Sequence, residues 1–197
     1  MIAALVLAAG GSRRLGRPKQ LEPWGGRTLL GHVVQRTRRF PVDEIWVVIG
    51  ADADRVRSDA DLADCGLIEN PEWQDGLASS IRVGLDALTR LSRADAALIV
   101  LGDQPDVDPG VVAALVAAHA RSHARAVVPK YRYSWGNPVL LDRRLWPRLM
   151  SLEGDEGAGR LLQAHPEWVE EVWVERLAPR DVDTQADVAE LRPRRPG

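Results

Sequence analysis

The chain reads as an α/β protein built on a mainly parallel sheet, and three observations carry that reading. Residues 2–8 (IAALVLA) are apolar at every position, and so are 45–49 and 96–101; such runs belong to strands covered on both faces. Stretches with helical spacing alternate with them, as βαβ units require. The length, 197 residues with 45% hydrophobic, suits one core rather than two. We therefore expect a single domain over residues 1–191, with the basic 192–197 (RPRRPG) as a frayed tail.

The elements follow in order. After the first strand, Leu29, Leu30, Val33, Val34 and Thr37 recur at helical spacing within 28–39. A strand at 45–49, a short helix at 52–60 and a short strand at 66–69 come next. Leu77, Ile81, Gly84, Leu85 and Leu88 mark a long helix, followed by the strand at 96–101. Asp108-Pro109 before Val111, Val112 and Leu115 combines an N-cap, a proline at the first helical position and an apolar face. The second half is less regular: strands at 126–129 and 138–141, helices at 143–150 and 157–164, a strand at 168–175, and a last helix after Thr184.

Composition narrows the function. A net charge of −2 lacks the basic excess of a duplex nucleic-acid binder. No apolar run reaches the length of a membrane span, and the opening residues lack the basic flank of a secretory signal, so a cytoplasmic protein is expected. The single cysteine, Cys65, excludes a disulfide framework or a thiolate zinc cluster. Only Lys19 and Lys130 are lysines among 26 basic residues. A GC-rich genome explains that bias; where lysine persists, a compact ammonium suits the position.

Chemistry concentrates at strand ends. The first strand runs into Leu7-Ala8-Ala9-Gly10-Gly11-Ser12-Arg13-Arg14-Leu15-Gly16-Arg17-Pro18-Lys19. Glycines there let backbone N–H groups approach phosphate oxygens while cations neutralise them. A Walker A loop is ruled out because Arg17-Pro18 stands where Lys-Ser/Thr belongs, and the G-x-G-x-x-G spacing is absent. A plain turn with solvated arginines fits the same residues. Gly102-Asp103-Gln104-Pro105 follows a buried strand; its carboxylate suits Mg²⁺, which takes few protein oxygens and completes its shell with phosphates and water, and an ordinary turn aspartate is the simpler reading. Asn70, Ser79 and Ser80 could read a polar base edge, or the serines could cap the helix they open. Asp181 and Asp183 lie on one side of an extended segment, or pair as N-caps of the last helix. His119 and His123 have helical zinc spacing but no third ligand, and read as solvated. Trp135, beside Gly136, could stack on a flat substrate; packing explains most of the tryptophans.

Together Leu7 to Lys19, Asn70-Pro71-Glu72-Trp73, Gly102 to Pro105, Gly136-Asn137-Pro138-Val139 and Asp181 to Asp187 resemble the molybdenum cofactor cytidylyltransferases, within the molybdopterin and sugar-nucleotide nucleotidyltransferases. The resemblance covers Ile2 to about Leu191. It implies a nucleotide-diphospho-sugar transferase fold, a three-layer α/β/α sandwich with one antiparallel strand. It implies that the loop from Leu7, Ala8 and Ala9 through Gly10, Gly11 and Ser12 wraps a triphosphate. Arg14 and Lys19 would face its charge, Asp103 would be catalytic and hold Mg²⁺, and Asp183 would be the second ligand. It further implies CTP as donor, since the guanylyl relatives carry glycine where Ala9 stands. The expected acceptor is the phosphate of molybdopterin, with a target molybdoenzyme as a possible partner. Another phosphorylated acceptor (a phosphosugar or cofactor precursor), or a non-catalytic cofactor-insertion partner, are the alternatives. Two positions depart from the family: Asn137 replaces its common histidine, and Gly159 stands where it favours arginine. Both fall in the half expected to meet the acceptor.

Overall fold

The computed structural model describes residues 1–132 and 134–192. Seven strands form one sheet: β1 (Ile2–Leu7), β4 (Glu44–Ile49), β5 (Gly66–Glu69), β6 (Ala96–Leu101), β7 (Ala126–Tyr131), β8 (Val139–Asp142) and β9 (Val169–Val174), in the order β5-β4-β1-β6-β8-β7-β9. Every pairing is parallel except those of β8, which runs against both β6 and β7.

Side chains of a strand alternate between its two faces, and each face here is roofed by helices. Ala3, Leu5 and Leu7 of β1 pack with Ile81, Leu85 and Leu88 of α3 (Leu77–Leu91). On the same side lie α5 (Trp146–Leu149) and α6 (Ala158–Ala164). Val6 packs on the other face with α1 (Leu29–Thr37), α2 (Ala53–Asp59) and α4 (Pro109–Ser122). This is the three-layer α/β/α arrangement, and it explains the unbroken apolar runs.

The helix ends follow local chemistry. Thr28 caps α1 by accepting the Gly31 N–H at 3.0 Å, and Asp108 caps α4 by accepting that of Gly110 at 2.7 Å. The final helix, α7 (Gln185–Leu191), is capped by Thr184 in a reciprocal box with Asp187, so the pair Asp181 and Asp183 does not cap it. Neither serine caps α3, whose N-cap is Gly76. Residues 143–150 form a 3-10 turn leading into α5 rather than one helix. His119 is not simply solvated: its Nε2 lies 3.1 Å from Asp142 Oδ2. Among the described residues, no helix is long and apolar enough to cross a membrane.

A short hairpin, β2 (Pro23–Trp24) with β3 (Arg27–Thr28), went unforeseen. It carries Trp24 into a small separate core with Leu29, Val182 and Val188, flanked by Leu15 and Leu191. That cluster ties the glycine-rich loop to the C-terminal segment. Arg192, which composition assigned to the tail, anchors the same region by pairing with the buried Glu22; the rest of that tail, 193–197, lies outside the described residues. Trp24 is 1% exposed. Trp24→Ala is therefore expected to cost about 3–5 kcal/mol in urea denaturation. It should also lower activity by loosening residues 181–183. A loss below about 1 kcal/mol would show that the hairpin is not what holds this segment.

Candidate active site

Strands β1 and β6 are neighbours in register, with Leu7 opposite Leu101, so the loops beyond their carboxyl ends emerge side by side. The helices flanking this point, α1 and α3, lie on opposite faces of the sheet. Open α/β sheets bind ligands at such a switch point. Gly102 makes the close approach possible: its N–H reaches Leu7 O at 2.9 Å, and a Cβ there would sit 2.9 Å from that of Ala8. The segment after β9 completes the rim, because Val182 N–H donates to Asp103 O at 2.9 Å.

These loops enclose a cavity of about 640 Å³. Leu7, Ala8, Ala9, Gly10, Gly11 and Ser12 line one wall, and Arg14, Lys19, Asp103 and Asp183 border it too. The Lys19 ammonium lies between two carboxylates, 2.5 Å from Asp103 Oδ2 and 2.7 Å from Asp183 Oδ1. Arg14 meets the other oxygen of Asp183 at 2.6 Å, with its own side chain 71% exposed. Burial pulls the Lys19 amine down, but Asp103 and then Asp183 outweigh it and hold the amine above its ordinary value. Burial pushes the Asp103 carboxyl up; Lys19 opposes this, and the charges of Asp181 and Asp183 add to it. Asp103 Oδ1 is buried without a hydrogen-bond partner. Among the described residues no group of three or more His, Cys, Asp or Glu side chains is placed to hold a metal ion; a buried oxygen lacking a donor, with Asp183 nearby, suits only a cation such as Mg²⁺ that takes one or two protein oxygens and completes its shell with phosphates and water.

Of the three residues considered for the base, Ser80 lines the cavity and Asn70 and Ser79 do not. Asn70 is 2% exposed, and its amide donates to Ser79 Oγ at 2.8 Å and Ser80 Oγ at 3.1 Å. Asn70 thus orients both hydroxyls from behind. Asp181 also reaches the cavity, held by Gln104 Nε2 at 2.8 Å.

Two further residues shape the loop: Trp73, which the sequence reading carried only within the Asn70 to Trp73 motif, and Gln20, which it missed. Trp73 packs beneath the loop so closely that a Cβ on Gly11 would lie 2.7 Å from its ring. Gln20, 3% exposed, donates from Nε2 to both Ala8 O and Gly10 O at 2.8 Å. The Ser12 hydroxyl points towards Gln20 Oε1 at 3.4 Å and accepts the Lys19 N–H at 2.9 Å. One amide therefore occupies the loop's carbonyls, leaving its N–H groups for a ligand. A glutamine directly after Lys19 is the only sequence signal for this, and nothing in composition singles it out.

A second cavity of about 300 Å³ adjoins the first, both being lined by Leu77 and Leu101. Its walls are largely apolar (Ile81, Ile99, Val139), and they include Trp135, Asn137 and Gly159. Trp135 Nε1 donates to Glu171 Oε1 at 2.5 Å. Arg160, also at this cavity, is paired with Glu156.

The MobA-like NTP transferase domain matches residues 4–169 of this chain. The chain belongs to that family. It is thus a nucleotidyltransferase, an enzyme rather than a passive carrier. It is 31% identical to nicotine blue oxidoreductase of Paenarthrobacter nicotinovorans over 84% of its own length and 83% of the relative's. The crystal structure of a homolog of Mycobacterium tuberculosis Rv0371c, from Mycobacterium sp. strain JC1, superposes with a TM-score of 0.85. That structure is 35% identical, covering 96% of this chain and 94% of its own. Rv0371c of M. tuberculosis H37Rv in complex with manganese gives a TM-score of 0.80 at 30% identity, with 97% of each chain covered. These matches place the chain in the nucleotide-diphospho-sugar transferase type of fold.

The Gln20 geometry makes a prediction for this MobA-like enzyme. Gln20→Glu keeps the size but removes both donors, leaving the Ala8 and Gly10 carbonyls unsatisfied at roughly 1–3 kcal/mol each. The KM for nucleotide should rise about tenfold or more, with the acceptor KM nearly unchanged in steady-state assays. Equal rises in both would mean that the residue holds the fold and not the loop.

Proposed function

We propose that the enzyme transfers CMP from CTP to the phosphate of molybdopterin and releases pyrophosphate, using Mg²⁺. The observation that supports this best is the convergence of the glycine loop, Lys19, Asp103 and Asp183 on one cavity. An acceptor phosphate oxygen attacks the α-phosphorus, and the bond to the β-phosphate oxygen breaks. A phosphate nucleophile needs no strong base, so the chain's work is alignment and charge stabilisation. The loop N–H groups from Gly10 to Ser12 hold the triphosphate. Lys19 and Arg14 offset the negative charge that grows on the leaving pyrophosphate. Asp103 and Asp183 would hold the divalent cation, which when bound withdraws charge from the phosphate oxygens. Ser80, set by Asn70, faces the base, and Ala9 supports cytosine over guanine. The apolar second cavity, with Trp135 on its wall, suits the flat ring of the acceptor. With a nucleoside triphosphate as donor, the proposed compartment is the cytoplasm.

A second reading keeps the chemistry and changes the acceptor to another phosphorylated small molecule. It is favoured by one observation: Asn137 and Gly159, both departures from the cytidylyltransferase pattern, line the second cavity. Two cations facing paired carboxylates suit phosphate handling, and one assay separates the two acceptor readings. Protein, Mg²⁺, each nucleoside triphosphate and a panel of phosphorylated acceptors are incubated and pyrophosphate is measured. Release with CTP and molybdopterin supports the first reading, release only with another acceptor supports the second, and no release with any pair rejects both.

Lys19→Ala is expected to lower kcat by several tens-fold or more, the scale for losing one charged transition-state contact. Asp103→Asn should nearly abolish turnover. Asp183→Asn should weaken it and raise the Mg²⁺ requirement. GTP used as readily as CTP in competition would reject the base assignment while leaving the family intact.

A further inference from the structure

The ammonium of Lys19 occupies the space between Asp103 and Asp183, the two carboxylates proposed to hold the metal. We propose that Lys19 is the resting counter-ion of the metal position, so that a divalent cation and the ammonium compete for Asp103 and Asp183. The inference rests on the metal reading of those two residues and adds an order to it: metal is taken up with the triphosphate, whose oxygens receive the displaced ammonium.

The distances carry the argument. With Nζ at 2.5 Å and 2.7 Å from the two carboxylates, the ammonium stands where a bridging cation would have to stand. Mg²⁺ draws its oxygens in to roughly 2.0–2.1 Å, and two cations cannot share that gap without strong repulsion. Something must leave, and Lys19 is built to. Its backbone N–H is fixed to Ser12 Oγ at 2.9 Å, so the main chain stays while the four-carbon stem swings. The cavity alongside provides room, and the loop wall from Gly10 to Ser12 is where the new phosphate acceptors would lie. An arginine would grip a carboxylate through two parallel hydrogen bonds and yield less readily. In a chain otherwise supplied with arginine, lysine at position 19 follows from that requirement. Arg14, bound to the outer oxygen of Asp183 and largely exposed, keeps that carboxylate in place during the exchange.

The consequence is opposite in sign to a purely catalytic role. Removing Lys19 should improve binding of the metal alone while damaging turnover. The test titrates Mn²⁺ without nucleotide, following the free ion by electron paramagnetic resonance. The proteins are the wild type, Lys19→Met, Asp103→Asn and the double variant, each checked by thermal melting. Lys19→Met should bind Mn²⁺ about tenfold more tightly than wild type, the scale on which groups around a metal site move its affinity. The double variant should lose that gain. If Lys19→Met binds no more tightly while Asp103→Asn loses binding, the competition is overturned and the metal reading stands. If affinity is indifferent to Asp103→Asn, or the gain survives it, the metal reading falls and the inference with it. The unmutated chain offers an independent check, because it holds only two lysines, Lys19 and Lys130. After ¹³C reductive methylation, with Lys130→Arg for assignment, the Lys19 signal should shift when Mg²⁺ and CTP are added together. A signal unmoved by saturating Mg²⁺ and CTP overturns the proposal.

Discussion

One ammonium joins three distant parts of the chain. Lys19 reaches Asp103 across 84 residues and Asp183 across 164, and its charge lies between the two carboxylates. Two carboxylates this close and this shielded from water would otherwise repel, and one would take up a proton. The rest of the site follows from satisfying this constraint. The β1 and β6 loops must emerge together, the 181–183 segment must return to them, and the loop carrying Lys19 must be held rigid enough to place its head.

The fold meets each requirement with a different kind of interaction. Register between parallel strands fixes Leu7 beside Leu101. The return of residues 181–183 uses a backbone hydrogen bond to Asp103 and the small core around Trp24, Val182 and Val188. Loop rigidity comes from the buried Gln20 amide, whose hydrogen bonds gain strength away from water, and from the half-buried Ser12 hydroxyl. The charged pair is thus supported by three mechanisms that fail independently, and perturbing any one should be distinguishable from perturbing the others.

What the sequence made legible tracks these mechanisms. The strands at 2–8, 45–49 and 96–101 announced themselves because burial on both faces leaves no polar position. The cap at Asp108-Pro109 was equally plain. The hairpin at 23–28 was invisible, since two-residue strands carry no period to detect. The family resemblance implies one antiparallel strand but not which; that it is β8 was not legible, because an apolar run of four residues has no orientation. Asp103 is nameable as a candidate from its strand-end position and Asp183 from the family resemblance, whereas the Lys19 ammonium lying between them has no sequence signal. Asn70 is a candidate base contact by sequence, and its amide is turned onto Ser79 and Ser80, a pairing that the sequence does not signal. Both surprises involve polar side chains binding one another, and such pairings depend on tertiary approach rather than on spacing.

The two cavities divide the binding crevice by chemistry. The first is walled by backbone amides, carboxylates and cations; the second by Ile81, Ile99, Val139 and Trp135. Leu77 and Leu101 border both, so a substrate spanning them would pass from a charged to an apolar environment at that line. The departures from the family pattern, Asn137 and Gly159, fall on the apolar side alone, whereas the residues from Leu7 to Lys19 keep the pattern. Arg160 lines the apolar side as well, largely exposed and paired with Glu156. In the proposed reading, phosphate handling and acceptor choice therefore sit on separable surfaces: the first would be constrained by charge balance around Lys19, and the second by the shape and polarity of a pocket that Lys19 does not line.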